Sequence, residues 1–114
     1  MFFSIIIPVL NEESAVNVLL QQLQSYREQG HEVIVVDGGS EDKTIAISKL
    51  LANKVIQSAP GRAVQMNKGA AQASGDVLWF LHADSIPSDE VFDRIRTICN
   101  SDEAIWGRFD ISMS

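Results

Sequence analysis

Four polar clusters interrupt the apolar runs of this chain: Asn11-Glu12-Glu13, Asp37-Gly38-Gly39-Ser40, Gly61-Arg62 and His82-Ala83-Asp84. The last follows the apolar run "VLWFL" directly. In an extended chain His82 and Asp84 point to one side and Ala83 to the other, so an imidazole and a carboxylate can face one crevice. That pair suits Mg²⁺ or Mn²⁺ completed by phosphate oxygens and waters. An Asx-turn in "ADSIP" beside a solvent-exposed His82 would account for the same residues without a ligand.

Asp37 ends the apolar run "EVIVVD". Its carboxylate can accept a hydrogen bond from a base N–H or a ribose hydroxyl, and Gly38 and Gly39 would let a ligand ring approach the backbone. Asp37 could equally make an Asx-turn, with Ser40 capping the next helix. Arg62 stands where a helix should start, which is electrostatically the wrong end for a cation and points to an anion nearby. An exposed Arg62 without a ligand costs only a fraction of a kcal/mol, roughly. After the first apolar run, Asn11 can cap a helix while Glu12 and Glu13 complement its dipole. No glycine fingerprint stands there, and two glutamates would repel a phosphate, so a dinucleotide site on that helix is excluded.

These clusters need elements to position them. "FSIIIPV" (3–9) reads as a strand, and Val16, Leu19, Leu20 and Leu23 give 14–27 a helical period. "EVIVVD" (32–37) is a second strand, followed by a helix from about Ser40 carrying Ile45, Ile47, Leu50 and Leu51. "KVIQS" (54–58) is a short third strand, 62–73 an Ala-rich helix stopped by Gly75, and "DVLWFL" (76–81) a fourth strand. Ser88 caps a helix through about Ile98, with Asp89 and Glu90 in its first turn, and "IWGRFDIS" is one more strand. Strands that alternate with helices and are apolar on both faces indicate α/β architecture: a doubly wound, mainly parallel sheet with helices on both faces. In such sheets ligands collect beyond the carboxyl ends of the strands, where the four clusters lie.

Composition sets the outer limits. The chain has 114 residues, 46% hydrophobic and 21% charged, which fits one domain with a usable core. A net charge of −6 with scattered Lys and Arg argues against nucleic acid as a partner. Cys99 is the only cysteine, so an internal disulfide and a cysteine-rich zinc site are excluded, and its neighbours Ile95 and Ile98 indicate a buried, reduced thiol. The cytoplasm is the expected location. "MFFSIIIPVL" lacks a preceding basic region and a small-residue cleavage site, and no apolar run is long enough for a transmembrane segment.

Together, "SIIIPVLNEE", "VIVVDGGSEDKT" and "GRAVQMNKGAAQASGDVLWFLHAD" resemble the opening strand, acidic turn and central helix–strand–metal motif of glycosyltransferase family 2, a GT-A, Rossmann-like fold. The resemblance covers nearly the whole chain. It implies that Pro8, Asn11, Glu12 and Asp37 surround the nucleoside, with Gly38 and Ala83 beside them. It also implies that Arg62 serves the nucleotide-sugar donor and that Asp84, with His82, holds Mg²⁺ or Mn²⁺. The family's motif commonly reads Asp-x-Asp, and here His82 replaces the first carboxylate.

The implied reaction moves a sugar, with inversion, from a nucleoside diphosphate, expected to be a UDP-sugar, to a hydroxyl acceptor. The family's base and acceptor segment lie beyond the metal motif, so 1–114 is expected to be a donor-binding domain incomplete at its carboxyl side. Beyond the helix expected over 88–98, Asp102, Glu103 and Asp110 are the remaining downstream carboxylates, and nothing near them singles out a base. A truncated or non-catalytic nucleotide-binding module is the alternative. A response-regulator reading lacks the acidic pair after strand one, and a sugar-nucleotide pyrophosphorylase lacks its glycine-rich basic loop. An exposed sheet edge makes a homo-oligomer the expected assembly.

Overall fold

Side chains alternate across a strand, and this sequence supplies apolar groups to both sides. A computed structural model describes residues 2–84, Glu90, Asp93, Arg94 and the backbone of Phe109–Ser112. Five strands, β1 (Phe3–Val9), β2 (Glu32–Asp37), β3 (Lys54–Gln57), β4 (Val77–Phe80) and β5 (Phe109–Ser112), form one sheet in the order β3-β2-β1-β4-β5. Every neighbouring pair is parallel.

Ile5, Ile7, Val9, Val33, Val35, Val77 and Trp79 lie in one core with Val16, Leu19 and Leu20 of α1 (Glu13–Gln22) and Tyr26 of α2 (Gln24–Glu28). Ile47 and Leu51 of α3 (Thr44–Leu51) pack against this core. Ile6, Ile34, Val36, Leu78 and Phe80 form the opposite core, covered by Met66 and Ala70 of α4 (Arg62–Gln72). The doubly wound sheet expected from the sequence is therefore present, and its described pairings are all parallel. Among the described residues no helix is long and apolar enough to cross a membrane.

Both helices on the α1 side differ from the sequence reading. The helix expected over 14–27 breaks at Leu23, whose N–H is shared between the carbonyls of Leu19 and Leu20. The break lets Tyr26 meet Trp79 edge-on, with ring centroids 6.1 Å apart. It also lets Gln24 and Arg27 donate to the Leu51 carbonyl at the end of α3. The second helix begins at Thr44 rather than Ser40, because Ser40 is taken by Asp37. Leu50, counted with the buried stripe of that helix, is 81% exposed, while its neighbour Leu51 is partly buried. Of the helix expected over 88–98, Glu90, Asp93 and Arg94 are described and helical, with Arg94 3.3 Å from Glu90; the thiol of Cys99 lies outside the described residues.

At the amino end of the sheet, Glu32 joins three segments. Its Oε1 accepts hydrogen bonds from the Ser4 hydroxyl (2.6 Å) and the Ser74 N–H (2.6 Å), and its Oε2 lies 3.4 Å from Lys54 Nζ. Burial alone would raise the Glu32 carboxyl, but Ser4, Ser74 and Lys54 together hold it below its ordinary value. A carboxyl depressed in the folded state stabilises above the unfolded pKa of about 4.3, and that contribution fades as pH falls through the folded value. Glu32→Gln should therefore cost about 1 kcal/mol at pH 7, and the gap from wild type should close in acid. Urea unfolding at pH 7 and pH 3 checks this. A gap that widens in acid would have the wrong sign.

Candidate functional site

The strand order reverses beside β1, where the chain runs outward through β2 and β3 and then returns to β4 on β1's other side. The loops leaving β1 and β4 must diverge there, opening a crevice at their carboxyl ends. A cleft of about 150 Å³ lies in that position, lined by Pro8, Val9, Leu10, Glu12, Arg62, Gln65 and His82. Small-molecule sites commonly enclose about 300–1,000 Å³, so this cleft among the described residues is below that range. A larger concavity, about 440 Å³, is lined by Asn11, Glu12, Glu13, Ser14, Ala15 and Asp42. Its acidic lining is unsuited to an anion, and we place the candidate site at the smaller cleft on grounds of topology and charge.

The walls of the cleft are held by hydrogen bonds between loops. Asn11 adopts a left-handed backbone (φ 50°), its N–H donates to Ser40 Oγ, and its Oδ1 accepts from the Glu41 N–H. The N–H groups of Glu12 and Glu13 donate to Thr44 Oγ1 and Asp42 Oδ2. Two N–H groups at the opening of α1 are thus paired with Asp42 of the β2–α3 loop and Thr44 at the head of α3. Asn11 does not cap α1 as the sequence suggested. Glu12 occupies the cap position, without a side-chain capping bond. The Thr44 hydroxyl leads the hydrogen bonds that hold the Asp42 carboxyl below the usual range, against a smaller opposing effect of desolvation.

Asp37 is buried, and its carboxylate accepts from the N–H groups of Gly39 (2.9 Å) and Ser40 (2.8 Å) and from the Ser40 hydroxyl. The turn reading therefore holds; nucleoside contact would use the carboxylate's remaining acceptor capacity. Gly38 donates its N–H to the Val9 carbonyl, and a Cβ there would stand 3.0 Å from the Gln65 amide. What approaches Gly38 closely is thus the Gln65 side chain. Arg62 opens α4, exposed, after Gly61 at φ 137°.

His82 lines the cleft and is half-buried, whereas Asp84 is exposed in the turn that follows and is not among the lining residues. The Ala83 side chain belongs to the core on the α1 side, which leaves its backbone for any ligand contact. Among the described residues no group of three or more His, Cys, Asp or Glu side chains could hold a metal ion. His82 and Asp84 offer two donors, a set that fits an ion brought in with phosphate oxygens and water. Of the carboxylates beyond the motif, Asp102 and Glu103 lie outside the described residues, and Asp110 is described by its backbone alone, paired with Leu78.

Gln65 was not singled out from the sequence. It is 5% exposed, and its Nε2 donates to the carbonyls of Val9 (2.9 Å) and Val36 (2.8 Å) while its Oε1 accepts from the Gly61 N–H (3.2 Å). Its signal was a polar residue four positions before Gly69, on the face α4 turns to the sheet.

Residues 4–112 match the model of the family described as "Glycosyl transferase family 2". The glycosyltransferase AglE of Haloferax volcanii is 32% identical over 82% of this chain and 34% of that protein. An uncharacterized glycosyltransferase of Mycobacterium tuberculosis is 34% identical over 96% of this chain and 42% of that one. The chain thus spans well under half the length of these relatives. Among solved structures, glucosyl-3-phosphoglycerate synthase from Mycobacterium tuberculosis, in complex with Mn²⁺, UDP and glucosyl-3-phosphoglycerate, superposes with a TM-score of 0.69. It is 23% identical, and the match covers 86% of this chain and 38% of that one.

Proposed function

This chain belongs to glycosyltransferase family 2, and from that membership we propose that it forms the donor-binding part of an enzyme transferring a sugar, with inversion, from UDP to a hydroxyl acceptor. The observation that carries the proposal is the switch-point cleft, where Arg62 and His82 converge from two different loops. A guanidinium there suits the diphosphate, and Pro8, Asn11, Glu12, Asp37 and Gly38 lie along the turns that would border the nucleoside. A divalent ion held by Asp84 and His82 with the diphosphate oxygens would offset the negative charge that grows on the leaving group. A carboxylate acting on the acceptor hydroxyl would be the remaining requirement for transfer. The single cysteine and the acidic balance fit a cytoplasmic location, and the edge strand β3 offers a surface for self-association.

Arg62→Gln tests the reading. It should weaken UDP binding by about ten- to a hundred-fold, the scale of a hydrogen bond to a charged group. Stability should stay within about 0.5 kcal/mol, as for ordinary surface changes. Titration calorimetry and urea unfolding measure the two. Lost stability with unchanged affinity would make Arg62 a structural residue. A donor-turnover assay on the same chain separates transfer from binding alone.

A further inference from the structure

The geometry points to Gln65 as a positioning residue that fixes the spacing between the Asp37 turn and Arg62, so that nucleoside and diphosphate are gripped together. The inference rests on reading this cleft as the donor site. Val9 ends β1, Val36 immediately precedes Asp37 on β2, and Gly61 immediately precedes Arg62. One buried amide side chain is bonded to all three.

Each bond has a separate consequence. The Nε2 donors hold the carboxyl ends of two neighbouring strands to α4, and both carbonyls lie beside turns that border the cleft. The Oε1 acceptor fixes the N–H of Gly61, a residue at positive φ whose carbonyl accepts from the Gln65 backbone N–H, so both backbone polar groups of this glycine are set by Gln65. Loss of the amide would release the Gly61 N–H and remove the link from α4 to the carboxyl ends of both strands. Arg62 would move with Gly61. Gln65 thus acts through Arg62 and the Asp37 turn, and need not touch the donor.

Gln65→Met keeps the length of the side chain and removes its hydrogen bonds. It should weaken UDP binding, measured with Mn²⁺ present, by about tenfold. The double variant Gln65→Met/Arg62→Gln should lose less UDP affinity than the product of the two single losses, since part of the Gln65 effect runs through Arg62. A merely structural role would instead give additive losses. Either additive losses or unchanged affinity in a folded Gln65→Met protein would overturn the inference.

Should Gln65→Met fail to fold, the wild-type chain supplies the test by nuclear magnetic resonance. The Gln65 side-chain amide and the Gly61 N–H should exchange slowly and shift when UDP is added, and fast exchange with no shift would count against the role. Wild-type protein that does not bind UDP at all would overturn the donor-site reading, and this inference with it.

Discussion

Removing divalent ions with a chelator should lower the affinity of this chain for UDP by between about one and three decades. The charge balance sets that range. A diphosphate in the cleft would meet Glu12 in the wall, with Asp84 two residues beyond the lining His82, on a protein already at −6. A like-charged pair about 4 Å apart costs roughly 1 kcal/mol in water and roughly 4 kcal/mol at an effective dielectric near 20. Asp84 is exposed, which puts its share toward the lower figure, whereas Glu12 is half-buried. Asp84→Ala should remove most of the metal dependence, and His82→Ala should remove less, because an imidazole brings no negative charge. Calorimetry with and without chelator measures both, and equal affinity in the two buffers would end the metal assignment.

Gly69→Ala should destabilise the protein by about 1 to 3 kcal/mol, the range for overpacking a core. By helix propensity alone alanine is better than glycine, by about 1 kcal/mol. Packing reverses the sign. A Cβ at Gly69 would stand 2.5 Å from Ile6 Cγ2 and 2.9 Å from Val36 Cγ2. Both strand side chains are fully buried and stiff about χ1, so α4 itself must shift. The shift would carry Arg62 and Gln65 away from the strand ends, so UDP affinity should fall together with the urea midpoint. A Gly69→Ala protein more stable than wild type would mean that the helix and sheet can separate at little cost.

The sheet was legible because apolar runs bounded by glycine and polar turns carry their own period. β1 and β2 span the residues that the pattern marked, and β3 and β4 differ from it only at their ends. What could not be read was which polar side chain serves which loop. Ser40 looked like a helix cap by local rules, yet its hydroxyl and N–H belong to Asp37, and the helix starts four residues later. Asn11 looked like a cap for α1, yet its acceptor reaches a residue thirty positions away. Local propensity favours the nearest partner, and the fold offered better ones across the sheet end. Gln65 was hidden for the same reason: its spacing to Gly69 marks the face it shares, but the carbonyls it reaches lie 56 and 29 positions away. For the cleft, the sequence offered the rule that ligands collect beyond the carboxyl ends of parallel strands, and the strand order that sets β1 beside β4 came from the structure.

The hydrogen bonds from Asn11, Glu12 and Glu13 to Ser40, Asp42 and Thr44 also bear on how this sequence can vary. Residues about thirty positions apart share their partners, so the effect of changing one depends on the identity of the other. The two turns therefore behave as a single mutational unit. Loss of the hydroxyl at Thr44 is felt at the start of α1, and a longer first turn strands the acceptors of the second. Substitutions in this corner of the protein should therefore be epistatic, with the cost of a change in one turn set by the residue it meets in the other.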